Sequence, residues 1–441
     1  MASNAIGRRG LGLGLGSLGV AGALGPARAQ TPPAAIGNFP AAAAGDSVFV
    51  GITTPLTGPY AADGQDLRRG YELAIALINA GDPIVAKWGL AGKGVLGKQI
   101  RFRVADSEGK PNVGVQAQTQ FIQGDKAIMI TGSVSSAVAI AIQKLASREH
   151  VLYMVGVSAS NDTTGKDCQR WGFRSQQHSY MAAKALAPSA AKAYGTGRKA
   201  AYLVPDYTYG QSVFNSTTEF MKPHGWTVAT KQVVPLGATD YSSALLNIAN
   251  SGADVFVNVA FGQDAVTATK QAAQFGVLPR MRMMVPNFSA FQAQELGPTL
   301  MEGVLGTFEW HWKLQDRYPL SADFVAAFRA KYNQYPRWPA HVGFMQTLLW
   351  AVGVERVRGS NPIDLIKMFE ASKDKPFDSS LGKIWYRGED HQLVRPVPVV
   401  AGRKASEMRD KDDDYDILDV VAGEDCINPP GALGCKLGPY L

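Results

Sequence analysis

Two short runs of hydroxyl residues stand out as capable of chemistry: Gly132-Ser133-Val134-Ser135-Ser136 and Ser158-Ala159-Ser160-Asn161. Each follows an apolar stretch, residues 127–130 and 151–157. Between them, residues 137–148 carry the apolar periodicity of a helix. Two parallel strands joined in this way lift both turns to one carboxyl edge, where open α/β sheets bind ligands. Hydroxyls and unpaired backbone N–H groups at a helix start suit a small anion such as a carboxylate. Serines in such places also serve simply as helix caps. From the residues alone both roles stay open.

Other chemistry has less support. On an alternating strand over residues 303–312, Glu309 and His311 share a face, as the acid–base pair of a hydrolytic enzyme would. Gly92-x-x-x-x-Gly97-Lys98 imitates a phosphate loop, but Gln99 stands where Ser or Thr must hold magnesium, and a strand follows where a helix must begin. There is no Gly-x-Ser-x-Gly elbow and no His-Glu-x-x-His. No Cys-x-x-Cys or His-x-x-x-His spacing suggests zinc. The acidic run Asp410, Asp412, Asp413, Asp414, Asp416 lacks the glycine and closing glutamate of a calcium loop and is expected to be a solvated surface. The expectation is therefore no metal, no cofactor and no enzyme.

The elements that must position the serines alternate. Strands are predicted near residues 48–53 and 100–104, with helices at 66–79 and 113–122. A second alternation follows residue 174: strands at 200–204, 228–234, 255–259 and 281–285, separated by helices at 211–222, 241–250 and 265–275. This rhythm requires parallel sheets covered by helices, and its recurrence predicts two similar lobes.

The 441-residue chain is 46% hydrophobic and 18% charged, ordinary globular values. Residues 1–29 have the marks of a signal peptide: Arg8 and Arg9, an apolar core over 11–24, and Ala27-Arg28-Ala29 as a small-x-small cleavage site. The arginine pair permits twin-arginine export, and the ordinary secretory (Sec) route stays open because Gly7 precedes the pair. The segment carries three arginines (Arg8, Arg9, Arg28) and no acid, so its removal lowers the formal charge from +7 to +4. That balance, without a basic run interleaved with aromatics, gives no case for nucleic acid. No later stretch reaches the roughly 18 apolar residues of a membrane span. Residues 30–45, rich in Pro and Ala, are expected to be a disordered leader. In an oxidising compartment Cys426 and Cys435 are expected to form a disulfide, leaving Cys168 free.

With these features in order, the chain resembles the periplasmic solute-binding proteins of branched-chain amino acid type ABC importers (the leucine/isoleucine/valine-binding protein-like family) over roughly residues 48–400. The resemblance rests on Pro55-Leu56-Thr57-Gly58-Pro59-Tyr60 with Gly64 and Gly70, and on Leu96-Gly97-Lys98 before a strand ending at Asp106. The two serine turns follow, with Ala141 after the first. Phe173-Arg174, Asp206 with Tyr209-Gly210, and Thr239-Asp240-Tyr241 complete the order.

The resemblance implies a type I periplasmic binding protein: two doubly wound α/β lobes joined by a three-segment hinge, closing on a ligand. Residues 46–175 plus 309–383 would form lobe 1, 176–308 plus 384–405 lobe 2, and 406–441 a C-terminal extension. Ser136, with Ser135 as neighbour, and Ser158 and Ser160 would hold the ligand carboxylate and part of its ammonium. Tyr209 and Phe261 would close from the other lobe. Tyr60 and Asp63 belong to the loop lining the family's side-chain pocket. Amino-acid binders of the family place an acid after the last strand of lobe 2. Here that stretch is Val285-Pro286-Asn287-Phe288-Ser289, with no acid. Asp63 or Asp264 would have to substitute, since a buried unpaired ammonium is costly. A carboxylate without an amine, facing Tyr60, Phe261, Phe288, Trp310 and Trp312, also fits, and the family carries small amides too. The implied function is capture of a small carboxylate-bearing ligand by a monomer in the periplasm and delivery to a membrane permease. The alternative is a ligand-sensing receptor of the same fold.

Overall fold

The apolar runs that precede the turns are buried along their whole length, the mark of parallel strands covered on both faces. Met129–Gly132 (β3) and Leu152–Val155 (β4) are buried at every residue. In this computed structural model, which describes residues 45–440, they lie at the centre of a five-stranded sheet. The predicted signal peptide and nearly all of the predicted leader lie outside the described residues. The other strands of the sheet are Ser47–Thr54 (β1), Gln99–Asp106 (β2) and Gly172–Arg174 (β5), in the order β2-β1-β3-β4-β5. All its pairings are parallel, and the register sets Thr53 beside Gly132, Gly132 beside Val155 and Val155 beside Arg174. Both serine turns therefore leave from one edge.

The second sheet has seven strands. Lys199–Pro205 (β6), Thr227–Val234 (β7), Val255–Asn258 (β8), Arg282–Asn287 (β9) and Leu305–Thr307 (β10) are mutually parallel. Phe377–Ser379 (β11), Gly382–Tyr386 (β12) and Leu393–Val394 (β13) make a separate small sheet. Val397–Gly402 (β14) and Tyr415–Val421 (β15) then add antiparallel strands beside β10. The fold is that of a type I periplasmic binding protein, with two α/β lobes.

Helices cover the sheets as the alternation requires. Helix Trp338–Val357 is buried at every residue from Trp338 to Val354, so it is packed on all sides rather than along one face, with His341, Gln346 and Thr347 as its buried polar side chains. It packs closely on helix Ala61–Ala80: a Cβ on Gly70 would lie 1.9 Å from the Ala340 carbonyl oxygen. That contact is the physical reason for glycine in the Gly64/Gly70 motif at this position.

The chain passes between the sheets at residues 175–178, 308–311 and 395–396. The third passage falls later than the predicted boundary at 383/384. Here β12 and β13 pair with each other, and Gln392 bridges to Arg174 of the first sheet. The stretch 303–312, expected as a strand crossing between lobes, is strand only over β10, and the residues after β10 make the crossing.

Three expectations about the C-terminal region need correction. The expected C-terminal extension, residues 406–441, is in part built into a lobe, because Tyr415–Val421 (β15) is the edge strand of the second sheet. The acidic run is only in part a solvated surface: Asp410 is exposed, but Asp413 is fully buried, bonded to Lys313 and, at 2.9 Å each, to Arg403 and Arg409. Asp412 and Asp414 pair with Arg337 at 2.8 and 3.0 Å. Burial alone would raise the Asp413 carboxyl, but Lys313 and Arg409 hold it well below the usual range. Finally, the disulfide joins Cys168 to Cys435, and Cys426 is the free, buried thiol. Cys426 sits in helix Gly423–Cys426, where its thiol donates to the Ala422 carbonyl at 3.3 Å. The Pro429-Pro430-Gly431 segment then carries the chain away to the first lobe, so nearness in sequence was a poor guide to pairing.

Candidate ligand-binding site between the lobes

The first turn is made by backbone geometry. Gly132 has φ +116°, and a Cβ there would lie 1.9 Å from the Thr53 carbonyl oxygen. Ser133 follows at φ +72° and donates its N–H to the same carbonyl at 2.6 Å. Its hydroxyl accepts from Tyr153 at 3.3 Å, inside the lobe. Ser135 is the N-cap residue of helix Ser136–Glu149 without a capping side-chain bond. Ser136 is the hydroxyl that reaches the cavity, and its Oγ accepts the Ser160 N–H at 3.2 Å, so it ties the two turns together.

The second turn is held from behind by Arg174. This guanidinium donates to the carbonyls of Ser158 (3.1 Å) and Ser160, to Thr164 Oγ1 and to Gln392 Oε1 (2.7 Å). Burial lowers it to about 9, so it remains a cation at neutral pH directly behind the turn. The Ala159 carbonyl accepts from Ser179 N and Oγ at 2.8 and 2.6 Å. Ser158 is spent inside the lobe, its N–H on Gln176 Oε1 (2.7 Å) and its hydroxyl on Thr163 (2.9 Å). Ser160 does cap, accepting the Asp162 N–H at 3.2 Å, and also reaches across to Thr208 and Ser212 of the second lobe at 2.8 and 3.0 Å.

The cavity between the lobes is small in this conformation, about 20 Å³, room for little more than one water. Val134, Ser136, Val157 and Ala159 line it from the serine turns. The second lobe supplies Tyr207, Tyr209, Phe261, Asn287, Phe288 and Thr307, each just past the carboxyl end of a parallel strand or at its last residue. Trp338 enters from the start of its buried helix, and Gln176, Gln177 and Glu309 from the crossings. The aromatic rings meet edge-on around Phe261: Tyr60 at 5.7 Å, Tyr209 at 6.1 Å and Trp338 at 6.1 Å between centroids. Glu309 is buried, paired with Arg395 of the third crossing, and accepts the Gln177 N–H of the first at 3.0 Å. One ion pair and one hydrogen bond thus link all three crossings. Burial lowers the Arg395 guanidinium to about 9, which leaves it charged to answer Glu309.

Of the residues singled out from sequence, Ser136, Tyr209, Phe261 and Phe288 line the cavity together. Tyr60 lies behind Tyr207, hydroxyl to hydroxyl at 2.9 Å. Asp63 accepts the Ala290 N–H at 3.0 Å across the lobes, outside the lining. Ser135, Ser158 and Ser160 frame the turns without lining the cavity. Asp264 accepts the Gly237 N–H at 2.7 Å, elsewhere in its lobe. Trp310 stacks on His341 and Trp312 on Tyr335, both away from the cavity. His311 faces Asp414 at 3.9 Å while Glu309 is engaged by Arg395, so the imagined acid–base pair does not form. Sequence reasoning missed Tyr207, Gln176, Gln177, Thr307 and Trp338. Tyr207 and Gln177 stood next to motif residues, but nothing local marked Trp338.

The family model for periplasmic binding proteins matches residues 47–407. Leu/Ile/Val-binding protein homolog 3 of Brucella melitensis is 24% identical over 347 residues, 78% of this chain and 89% of that protein. An amino acid ABC transporter substrate-binding protein from Pseudomonas fluorescens superposes with a TM-score of 0.78 at 22% identity, over 89% of this chain and 100% of the other. A Rhodopseudomonas palustris ABC transporter solute-binding protein in complex with benzoate superposes with a TM-score of 0.73 at 22% identity, over 89% of this chain and 100% of the other. No helix among the described residues is long and apolar enough to cross a membrane. With the family model covering most of the chain and the two-lobed fold as its context, the chain belongs to the periplasmic binding protein family, among relatives of the Leu/Ile/Val-binding type.

Proposed function

We propose that this chain is an exported, monomeric solute-binding protein that closes on a small carboxylate-bearing ligand and delivers it to the permease of an ABC importer. The observation that carries the proposal is the serine-turn wall. There the Ser136 hydroxyl and the start of its helix face the cavity, with a buried Arg174 cation behind the second turn. The unpaired N–H groups of a helix start and a nearby fixed cation favour an anion. Aromatic side chains supply the remaining contact area. The benzoate complex of the Rhodopseudomonas protein supports a carboxylate in such a cleft. Among the described residues lining the cavity, the one acid, Glu309, is held by Arg395, and the protein is proposed to release its ligand unchanged.

The ligand is identified by mass spectrometry of small molecules released on denaturing the purified protein, followed by a thermal-shift panel of amino acids, aromatic acids and amides. Ser136→Ala is expected to weaken the carboxylate ligand about tenfold or more, the loss of one hydrogen bond to a charged group. Ser160→Ala is expected to act through loss of the cap and of the cross-lobe hydroxyl contacts. Unchanged affinity in the double variant would overturn the carboxylate assignment. Stimulation of the reconstituted transporter's ATPase by the loaded protein checks delivery, and its absence would favour a sensing role.

A further inference from the structure

Resting on the carboxylate proposal above, we infer that the ligand also carries a neutral hydrogen-bond acceptor, a hydroxyl or carbonyl oxygen, and no ammonium. Apart from Glu309 Oε1, which is ion-paired with Arg395, the lining among the described residues holds three buried polar atoms without a hydrogen-bond partner in the protein: Asn287 Nδ2, Trp338 Nε1 and Gln177 Oε1. Their residues are 7%, 4% and 2% exposed. Buried polar groups are nearly always satisfied, and an orphan costs roughly 1–3 kcal/mol. Three orphans lining one cavity describe what its occupant must bring.

The orientations are set by neighbours. Gln177 Nε2 donates to Thr307 Oγ1 at 3.0 Å, so its oxygen is the atom left over. Thr307 Oγ1 gives its one proton to the Pro286 carbonyl at 2.7 Å and lies 3.4 Å from Asn287 Oδ1, on the side away from the Asn287 amide N–H₂. The indole N–H of Trp338 is a donor only. Burial raises the Tyr209 phenol and the approach of the Asn287 side chain works against that rise, so the phenol stays neutral and can donate as well. Two unpaired donors and one unpaired acceptor fit a hydroxyl, which both accepts and donates, or a carbonyl with Gln177 served by another ligand hydrogen. They do not fit an ammonium, which has no lone pair to accept with. Among the described residues lining the cavity, Glu309 is the one acid, and Arg395 and the Gln177 N–H already use its carboxylate. Asn287, at the end of β9, thus stands where the sequence lacks an acid, and it presents a donor.

Two ligand series separate this inference from its parent, measured by titration calorimetry on protein freed of co-purifying ligand. One is 3-phenylpropanoate, 3-phenyllactate, phenylpyruvate and phenylalanine; the other is benzoate, 4-hydroxybenzoate and 4-(aminomethyl)benzoate. In at least one series the hydroxy or oxo acid is expected to bind at least tenfold tighter than both its unsubstituted acid and its ammonium counterpart. An ammonium compound or an unsubstituted acid that binds equally well overturns the inference and leaves the carboxylate assignment standing. If no member of either series binds, the carboxylate assignment fails, and the inference with it. Asn287→Asp is expected to reverse the preference toward the ammonium compound. Trp338→Phe, which keeps the ring and removes the N–H, is expected to narrow the gap between hydroxy and unsubstituted acid several-fold. An unmoved gap in a folded Trp338→Phe protein, with no reversal in Asn287→Asp, overturns the assignment of these residues.

Discussion

The serine-turn wall and the rest of the cavity lining are built differently. Behind the serine turns the polar atoms already have protein partners. Arg174 alone bonds to four acceptors, Ser179 holds the Ala159 carbonyl, and Ser136 holds Ser160. Facing them, Asn287, Trp338 and Gln177 each keep one atom unpaired. A satisfied wall keeps its shape with or without a ligand, and offers an anion a fixed field. An unsatisfied lining is costly until the right ligand arrives, so it discriminates between ligands that share a carboxylate. The comparison assigns affinity for the common group to one wall and selection among carboxylates to the other.

The largest test of that division is Arg174→Met. It removes the guanidinium from the Ser158 and Ser160 carbonyls in a fully buried site, the latter keeping only a 3.4 Å contact with the Thr163 N–H, while Thr164 and Gln392 keep their own 3.1 Å bond. At about 1–3 kcal/mol for each of the two carbonyls, the expected loss of stability is about 2–6 kcal/mol. Chemical denaturation of the ligand-free protein measures it. A loss below about 1 kcal/mol would show that the wall does not depend on its internal bonds.

How much of this was legible in the sequence follows the same divide. The serine turns announced themselves because local signals coincide: a buried apolar run, a glycine with positive φ, hydroxyls, then helical periodicity. Phe261 and Tyr209 were found through motif order. The crossings were opaque, since Gln177, Glu309 and Arg395 meet only after the chain has passed between the lobes three times. Trp338 looked like any core tryptophan at the head of an apolar helix. The cysteine pairing failed for a related reason. A short loop between Cys426 and Cys435 suggested closure, while β15 and the proline segment send the two sulfurs to different places.

Asp63 tests the seam between the two regions. Its carboxylate in the first lobe accepts the Ala290 N–H of the second. Burial pushes it up to about 7, the Ala290 bond works against that shift, and Asp66 and Glu295 add to it. A carboxyl whose folded value exceeds its unfolded value binds its proton more tightly in the native state. Its contribution is full below about pH 4 and is lost as pH rises toward 7, with little change above. A shift of this size corresponds to about 4 kcal/mol at most. Asp66, raised to about 6 chiefly by burial, slopes the same way over a narrower window. Unfolding free energies of the protein and of Asp63→Asn, measured from pH 4.5 to 8, are expected to diverge with rising pH in favour of the variant. Parallel curves would mean that the carboxylate is not strained at the seam.

Asn287→Leu gives the smallest effect on stability and the clearest contrast with Arg174. Leucine is close in shape to asparagine and removes the orphaned donor. The ligand-free protein should therefore lose nothing and gain up to about 1 kcal/mol, because replacing an unsatisfied buried polar group relieves its desolvation cost. The Thr307 hydroxyl limits the gain, since it loses the weak 3.4 Å contact with Oδ1 but keeps its 2.7 Å bond to the Pro286 carbonyl. Binding should move the other way, with loss of affinity for the hydroxy or oxo acid and a smaller loss for its unsubstituted acid. Opposite signs for stability and selectivity at one residue are what a lining waiting for its ligand requires. A clear destabilisation of the ligand-free protein would place Asn287 with the satisfied wall instead.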